Sequence, residues 1–174
     1  MNQPKYLIIH HTAVSYQTNH QQVWAVNRYH KEKDFPVSSL GWFVGYHLFI
    51  EASGATIRCR QDSDIGAHTV GYNDKSVAIC LAGDFNKELP TNEQVVSLKK
   101  LLSQYPKLII GPHRQFQKER TCYGLLLADD WATKLISPQI VTDAVDKEKQ
   151  EKIRGLWITL DVIRSLLLKL RLLK

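Results

Sequence analysis

Residues 76–81, Ser-Val-Ala-Ile-Cys-Leu, are almost continuously apolar and show none of the alternation of a strand that faces water on one side. A short apolar run bounded by polar stretches marks a strand buried on both faces, which needs helices packed on either side of its sheet. Lys5 to His10 is a second short β-favouring run. Between the two, Gln17 to Lys31 places Val23, Val26 and Tyr29 at helical spacing, and Asp34 to Gly41 reads as a loop. Tyr46 to Glu51 and Thr56 to Cys59 flank Ala52-Ser-Gly-Ala55 as a hairpin. Asp62 to Lys75 is polar and glycine-containing without any period, the pattern of a long functional loop. Thr91-Asn-Glu-Gln94 opens a helix with a capping box, and Val95, Leu98, Leu101 and Leu102 give that helix one apolar face. Lys107 to Ile110 reads as a strand and Leu125 to Ile136 as a closing helix. Strands alternating with helices predict an α/β fold, a central mixed β-sheet flanked by helices.

The composition changes after Ser137-Pro138, which divides the chain into a folded domain over residues 1–136 and a linker with a tail over 137–174. In the tail, Ile153, Leu156, Trp157, Leu160, Ile163, Leu167 and Leu170 follow helical spacing, with Arg164, Arg171 and Lys174 off the stripe. An amphipathic helix of this kind fits a membrane surface, or self-association and docking on its own domain.

Hydrophobic residues make up 44% of the 174 and charged residues 23%, which excludes a disordered or collagenous chain. A net charge of +6 implies attraction to a polyanion, with nucleic acid, anionic lipid and wall polymer all eligible. Nucleic acid is disfavoured, because the basic residues are scattered and not interleaved with stacking aromatics. Three cysteines make a poor disulfide framework and predict at least one free thiol or metal thiolate. The first eleven residues lack the features of a secretory signal and read as the start of a strand, so synthesis in a reducing cytoplasm is expected.

Three residues stand where a hydrolytic metal site would place its donors. His10 closes the first strand, His113 follows the strand at Leu108 to Ile110 through a Gly-Pro turn, and Cys122 lies nine positions later in Arg120-Thr-Cys-Tyr-Gly124. A catalytic zinc keeps three protein ligands and one open position, and His and Cys suit the ion. Spacing alone leaves this reading level with a bland one, in which the histidines are structural and the cysteine is a small buried hydrophobe. Cys59 and Cys80 read as core thiols, and His20, His30 and His47 as structural.

Five segments taken together carry more. Tyr6-Leu-Ile-Ile-His-His-Thr-Ala13, Gly45-Tyr-His-Leu-Phe-Ile50, Ile65-Gly-Ala-His68, Ser76-Val-Ala-Ile-Cys-Leu-Ala-Gly-Asp-Phe85 and Gly111-Pro-His-Arg114 with its downstream Cys122 occur in this order over residues 5–136. The set resembles the type 2 N-acetylmuramoyl-L-alanine amidases, a zinc-dependent family that includes short phage lysozyme-like amidases and animal peptidoglycan recognition proteins. The resemblance implies zinc as cofactor, peptidoglycan or its muropeptides as substrate, and action at the cell wall or periplasm. It puts the metal ligands on His10, His113 and Cys122, and leaves His11 on the opposite side of the strand. It also puts the catalytic tyrosine on Tyr46, an oxyanion-binding residue on Arg120, and groove-lining residues on His68 and Asn73. The interval from His113 to Cys122 is one residue longer than is usual in the family, so the role of Arg120 can fall instead to Thr121. Cys122 is followed by Tyr-Gly where many members have Pro-Gly. Cys80 stands where some distant relatives carry a Glu, which would leave proton handling to Tyr46 and the metal-bound water. The alternative function is a module that binds peptidoglycan without cutting it. Relatives of that kind typically lack the ligand cysteine, which this chain keeps.

Overall fold

The computed structural model describes residues 1–16 and 21–137, and Met1–Leu135 form one compact unit. The tail over 153–174 and His20 lie outside the described residues. In chain order the elements are β1 (Tyr6–His11), α1 (Gln22–Glu32), β2 (Leu48–Ile50), β3 (Thr56–Arg58), β4 (Ser76–Leu81), α2 (Asn92–Leu102), β5 (Ile109–Pro112), α3 (His113–Phe116) and α4 (Trp131–Lys134). Five strands form one mixed sheet in the order β3-β2-β4-β1-β5. β1 runs parallel to both β4 and β5, β2 runs parallel to β4, and only β3 is antiparallel to its neighbour. The two apolar runs occupy the centre, as expected of strands without polar alternation. Leu7, Ile8 and Ile9 of β1 and Val77, Ala78, Ile79, Cys80 and Leu81 of β4 are fully buried. No helix among the described residues is long and apolar enough to cross a membrane.

The capping box at Thr91 forms in full, with the Thr91 side chain accepting from the Gln94 amide and the Gln94 side chain accepting from the Thr91 amide. α1 is held differently. Its N-cap, Gln21, makes no side-chain cap, and the Glu51 carboxylate reaches across from the end of β2 to accept from the amides of Gln22 and Val23. A carboxylate on the first amides of a helix opposes the positive end of its dipole. Arg60, 1% exposed, donates to the carbonyls of Val44, Ile65 and Pro36 and ties three loop segments together.

Leu125 to Ile136 is not one helix. Only Trp131–Lys134 is helical, because the chain ahead of it makes other hydrogen bonds. The Arg114 guanidinium takes the carbonyls of Gly124 and Leu127, while the amides of Leu125 and Leu126 go to Asn86 Oδ1 and the Phe85 carbonyl. Leu125 and Leu126, which the apolar pattern had assigned to a helix, are exposed.

His30 and His47 are structural. The His30 Nδ1 accepts from the Gly45 amide while its ring stacks on Phe35, and the His47 Nδ1 accepts from the Ala78 amide. Burial lowers both rings, His30 to about 4. A folded-state pKa below the unfolded value of about 6.5 means that the unfolded chain takes up protons first as the pH falls. Stability is therefore expected to hold above about pH 6.5 and to decline between pH 6.5 and 4. His30 alone accounts for roughly 2 kcal/mol after allowance for partial solvent access. Urea unfolding of wild type and His30→Gln across this range checks it, since the variant should lose the share of the slope that His30 contributes, the other buried histidines keeping theirs.

Candidate metal centre

The sheet topology gathers the metal donors. β1 and β5 are parallel and Ile9 pairs with Pro112, so the residues that follow, His10 and His113, emerge side by side at the carboxyl ends of their strands with ring centroids 4.6 Å apart. Cys122 returns to the same place after α3, its segment held by the Arg114 amide on the Cys122 carbonyl at 2.8 Å. The donor atoms of His10, His113 and Cys122 all lie within 4.8 Å of one another. The Cys122 Sγ is 3.6 Å from the His10 Nδ1. A tetrahedral zinc with Zn–S of about 2.3 Å and Zn–N of about 2.1 Å separates such a pair by about 3.6 Å, so the donors are already spaced for the ion.

Protonation fits as well. Burial, with His68 and His113 close by, holds His10 well below its ordinary range, and burial also lowers His113. Both imidazoles are thus neutral and able to donate a lone pair. Burial pushes the Cys122 thiol up to about 12, partly opposed by the His11 amide, which donates to its sulfur at 3.3 Å. A thiol in that state ionises at neutral pH only when a cation arrives, because a metal ligand must be the thiolate. Zinc binding at pH 7 is therefore expected to release about one proton, from Cys122 and not from the histidines. Calorimetry in buffers of different ionisation enthalpy reads that number directly, and a value near zero would count against thiolate ligation.

His10, His11, Ala13, Tyr46, His68, His113, Arg120, Thr121 and Cys122 line one cleft. The Tyr46 ring lies 5.0 Å from that of His10, and its hydroxyl meets the Cys80 thiol. Burial, with Cys80 and Cys122 as neighbours, raises that phenol well above its usual range, so it keeps its proton at all physiological pH. Arg120 and Thr121 are both exposed at the cleft, which leaves the choice between them open. His68 is at the wall, 3.2 Å from the His10 Nε2. Asn73 does not line the cleft, and its Oδ1 accepts from the amides of His68 and Thr69. His11 points away from the donors, its Nδ1 accepting from the Phe85 amide.

Some contributors were not apparent from sequence. Gln117 places its Oε1 2.6 Å from the His113 Nε2, a contact that the i, i+4 spacing from His113 signals only once a helix is known to start there. Arg114 clamps the loop around Cys122 through Asp129 and backbone carbonyls, and no local pattern announces it.

A family profile described as N-acetylmuramoyl-L-alanine amidase matches residues 1–124. Peptidoglycan-recognition protein SC2 of Drosophila melanogaster is 33% identical over 103 residues, which are 59% of this chain and 55% of the relative. The endolysin of Enterobacteria phage K11 is 34% identical over 98 residues, 51% of this chain and 60% of that protein. The chain thus spans about half the length of the curated relatives it matches. Among solved structures, the N-acetylmuramoyl-L-alanine amidase LysC from Clostridium intestinale URNW superposes with a TM-score of 0.58 at 26% identity, covering 71% of this chain and 78% of LysC. Drosophila PGRP-LB, in a mutant solved in complex with tracheal cytotoxin, gives 0.59 at 29% identity over 73% of this chain and 79% of its own. With over two thirds of its length matched, the chain belongs to the N-acetylmuramoyl-L-alanine amidase family.

Proposed function

We propose that this chain hydrolyses the amide between the lactyl group of N-acetylmuramic acid and the L-alanine of the stem peptide, with zinc held by His10, His113 and Cys122. The observation that carries the reading is the donor triangle, two neutral imidazoles and a cysteine converging at the carboxyl ends of parallel strands beside an open cleft. When bound there, zinc supplies Lewis acidity and the means of making water nucleophilic at neutral pH. The chain's own groups supply the rest. The scissile carbonyl enters between the donors and the loop at 120–121, where the Arg120 guanidinium or the Thr121 hydroxyl donates a hydrogen bond to the developing oxyanion. Tyr46, its proton retained by burial, donates from its hydroxyl to the reacting centre and helps carry a proton toward the leaving amine. The likeness to peptidoglycan-recognition proteins, one of them solved with tracheal cytotoxin, supports a peptidoglycan fragment as the molecule that fills the cleft.

That same likeness favours a second reading, binding of peptidoglycan without cleavage. Release of stem peptides from purified wall, assayed with and without a strong chelator, separates the two. Chelator-sensitive release supports the amidase. Binding without release supports the recognition module, and release that survives complete zinc removal refutes the metal mechanism. Within the amidase, Tyr46→Phe is expected to lower kcat about 100-fold with zinc content unchanged.

A further inference from the structure

Each ligand histidine has two ring nitrogens, and only the one without a proton can hold a metal. The Nδ1 of His10 faces the Cys122 sulfur. Its proton must then reside on Nε2, which meets the Nδ1 of His68 at 3.2 Å. His68 can accept that hydrogen only if its own proton is on Nε2, and there it meets the Ser76 hydroxyl at 3.4 Å. Ser76 in turn lies 2.6 Å from the Tyr72 carbonyl, which accepts and never donates. The carbonyl therefore gives the whole series one direction. Ser76 O–H donates to Tyr72, which leaves the Ser76 oxygen free to accept from His68 Nε2–H, which leaves His68 Nδ1 free to accept from His10. The buried Thr69 hydroxyl, 3.0 Å from the His68 Nδ1 and 3.5 Å from the His10 Nε2, carries the same polarity by accepting from His10 and donating to His68, so that His10 Nε2–H is shared between the two acceptors. The turn bearing His68 and Thr69 is fixed by Asn73 Oδ1, which holds both of their amides. The second ligand repeats the arrangement in one step, with the Gln117 Oε1 2.6 Å from the His113 Nε2.

We propose that His68, oriented by Ser76 and the Tyr72 carbonyl, and Gln117 are positioning residues that lock His10 and His113 in the tautomers that present Nδ1 to the metal. The idea rests on the zinc reading above and assigns His68 a task that precedes any contact with substrate. Outer partners of this kind typically contribute 10- to 100-fold to metal affinity.

The test is the zinc dissociation constant of the full chain, measured by chelator competition without substrate, together with ¹⁵N imidazole spectra of the metal-free protein. His68→Leu and Gln117→Leu are each expected to weaken zinc binding about 10- to 100-fold. In the spectra, the Nε2–H form of His10, dominant in wild type, becomes mixed in His68→Leu. His68→Asn, whose Oδ1 falls where the imidazole Nδ1 was, is expected to stay within a few-fold of wild type. His68→Gln, which moves the acceptor to the Nε2 position and keeps a polar side chain should the leucine variant fail to fold, is expected to show the leucine-like loss. Wild-type affinity and tautomer populations in His68→Leu or His68→Gln overturn the role of His68, and unchanged affinity in Gln117→Leu overturns that of Gln117. If wild type binds no zinc, or Cys122→Ala keeps full affinity, the zinc reading itself fails, an outcome distinct from both.

Discussion

Cys122→Ala is expected to lose stoichiometric zinc and to lower amide hydrolysis by about 1000-fold or more. The substitution removes the one donor of the triangle that carries charge, leaving two neutral imidazoles that hold the ion far less tightly. Charge stabilisation by such an ion amounts to several kcal/mol in the transition state, and about 4 kcal/mol corresponds to a factor of about 1000. The fold should survive, because Cys122 is only half-buried and the loop around it is held by Arg114 and by the amides of Leu125 and Leu126. Metal analysis beside the wall-release assay checks both parts. His113→Ala should behave alike, and full zinc occupancy in either variant would refute the ligand assignment.

Gly45→Ala is expected to cost about 3 kcal/mol of stability, lowering Tm by roughly 10 °C, and to remove activity even in the molecules that remain folded. A Cβ at Gly45 would overlap the carbonyl oxygen of Ala67 and crowd the Phe35 ring. Backbone cannot yield as the tip of a flexible side chain can. Gly45 donates its amide to His30 and accepts at its carbonyl from the Ala67 amide, so the bare α-carbon lets two segments touch. Those segments carry Tyr46 and His68 on the very next positions, and forcing them apart displaces two residues that line the cleft. Thermal unfolding with the zinc content of the folded fraction tests this, and a variant with wild-type Tm and activity would contradict it.

Much of the frame was legible in the sequence because its signals are local. The uninterrupted apolar runs of β1 and β4, the capping box at Thr91 and the apolar face of α2 each depend on residues a few positions apart. The misread segment, Leu125 to Ile136, failed for the opposite reason. Its leucines suggested a helix, yet its backbone is bound by Arg114, Phe85 and Asn86 from elsewhere in the chain, and no local pattern encodes that. The donor triangle shows both sides. Each candidate lies at a strand end or loop that local pattern exposes, while their convergence depends on β1 lying between β4 and β5. Only the ordered set of motifs carried that information. The hydrogen-bonding partners of the histidines lay deeper still, since the orientation of an imidazole leaves no trace in residue spacing.

The order of strands has a consequence for the birth of the molecule. β1 precedes the other four strands of this sheet in the chain, yet it occupies an interior position whose two neighbours, β4 and β5, come some 70 and 100 residues later. His10 likewise waits 112 positions for Cys122. A chain still emerging from the ribosome holds neither all five strands of the sheet nor all three donors until its first 122 residues are out. The donor triangle can therefore form only once residue 122 has been made, and on the amidase reading proposed above a fragment ending short of it is expected to be inert toward wall polymers.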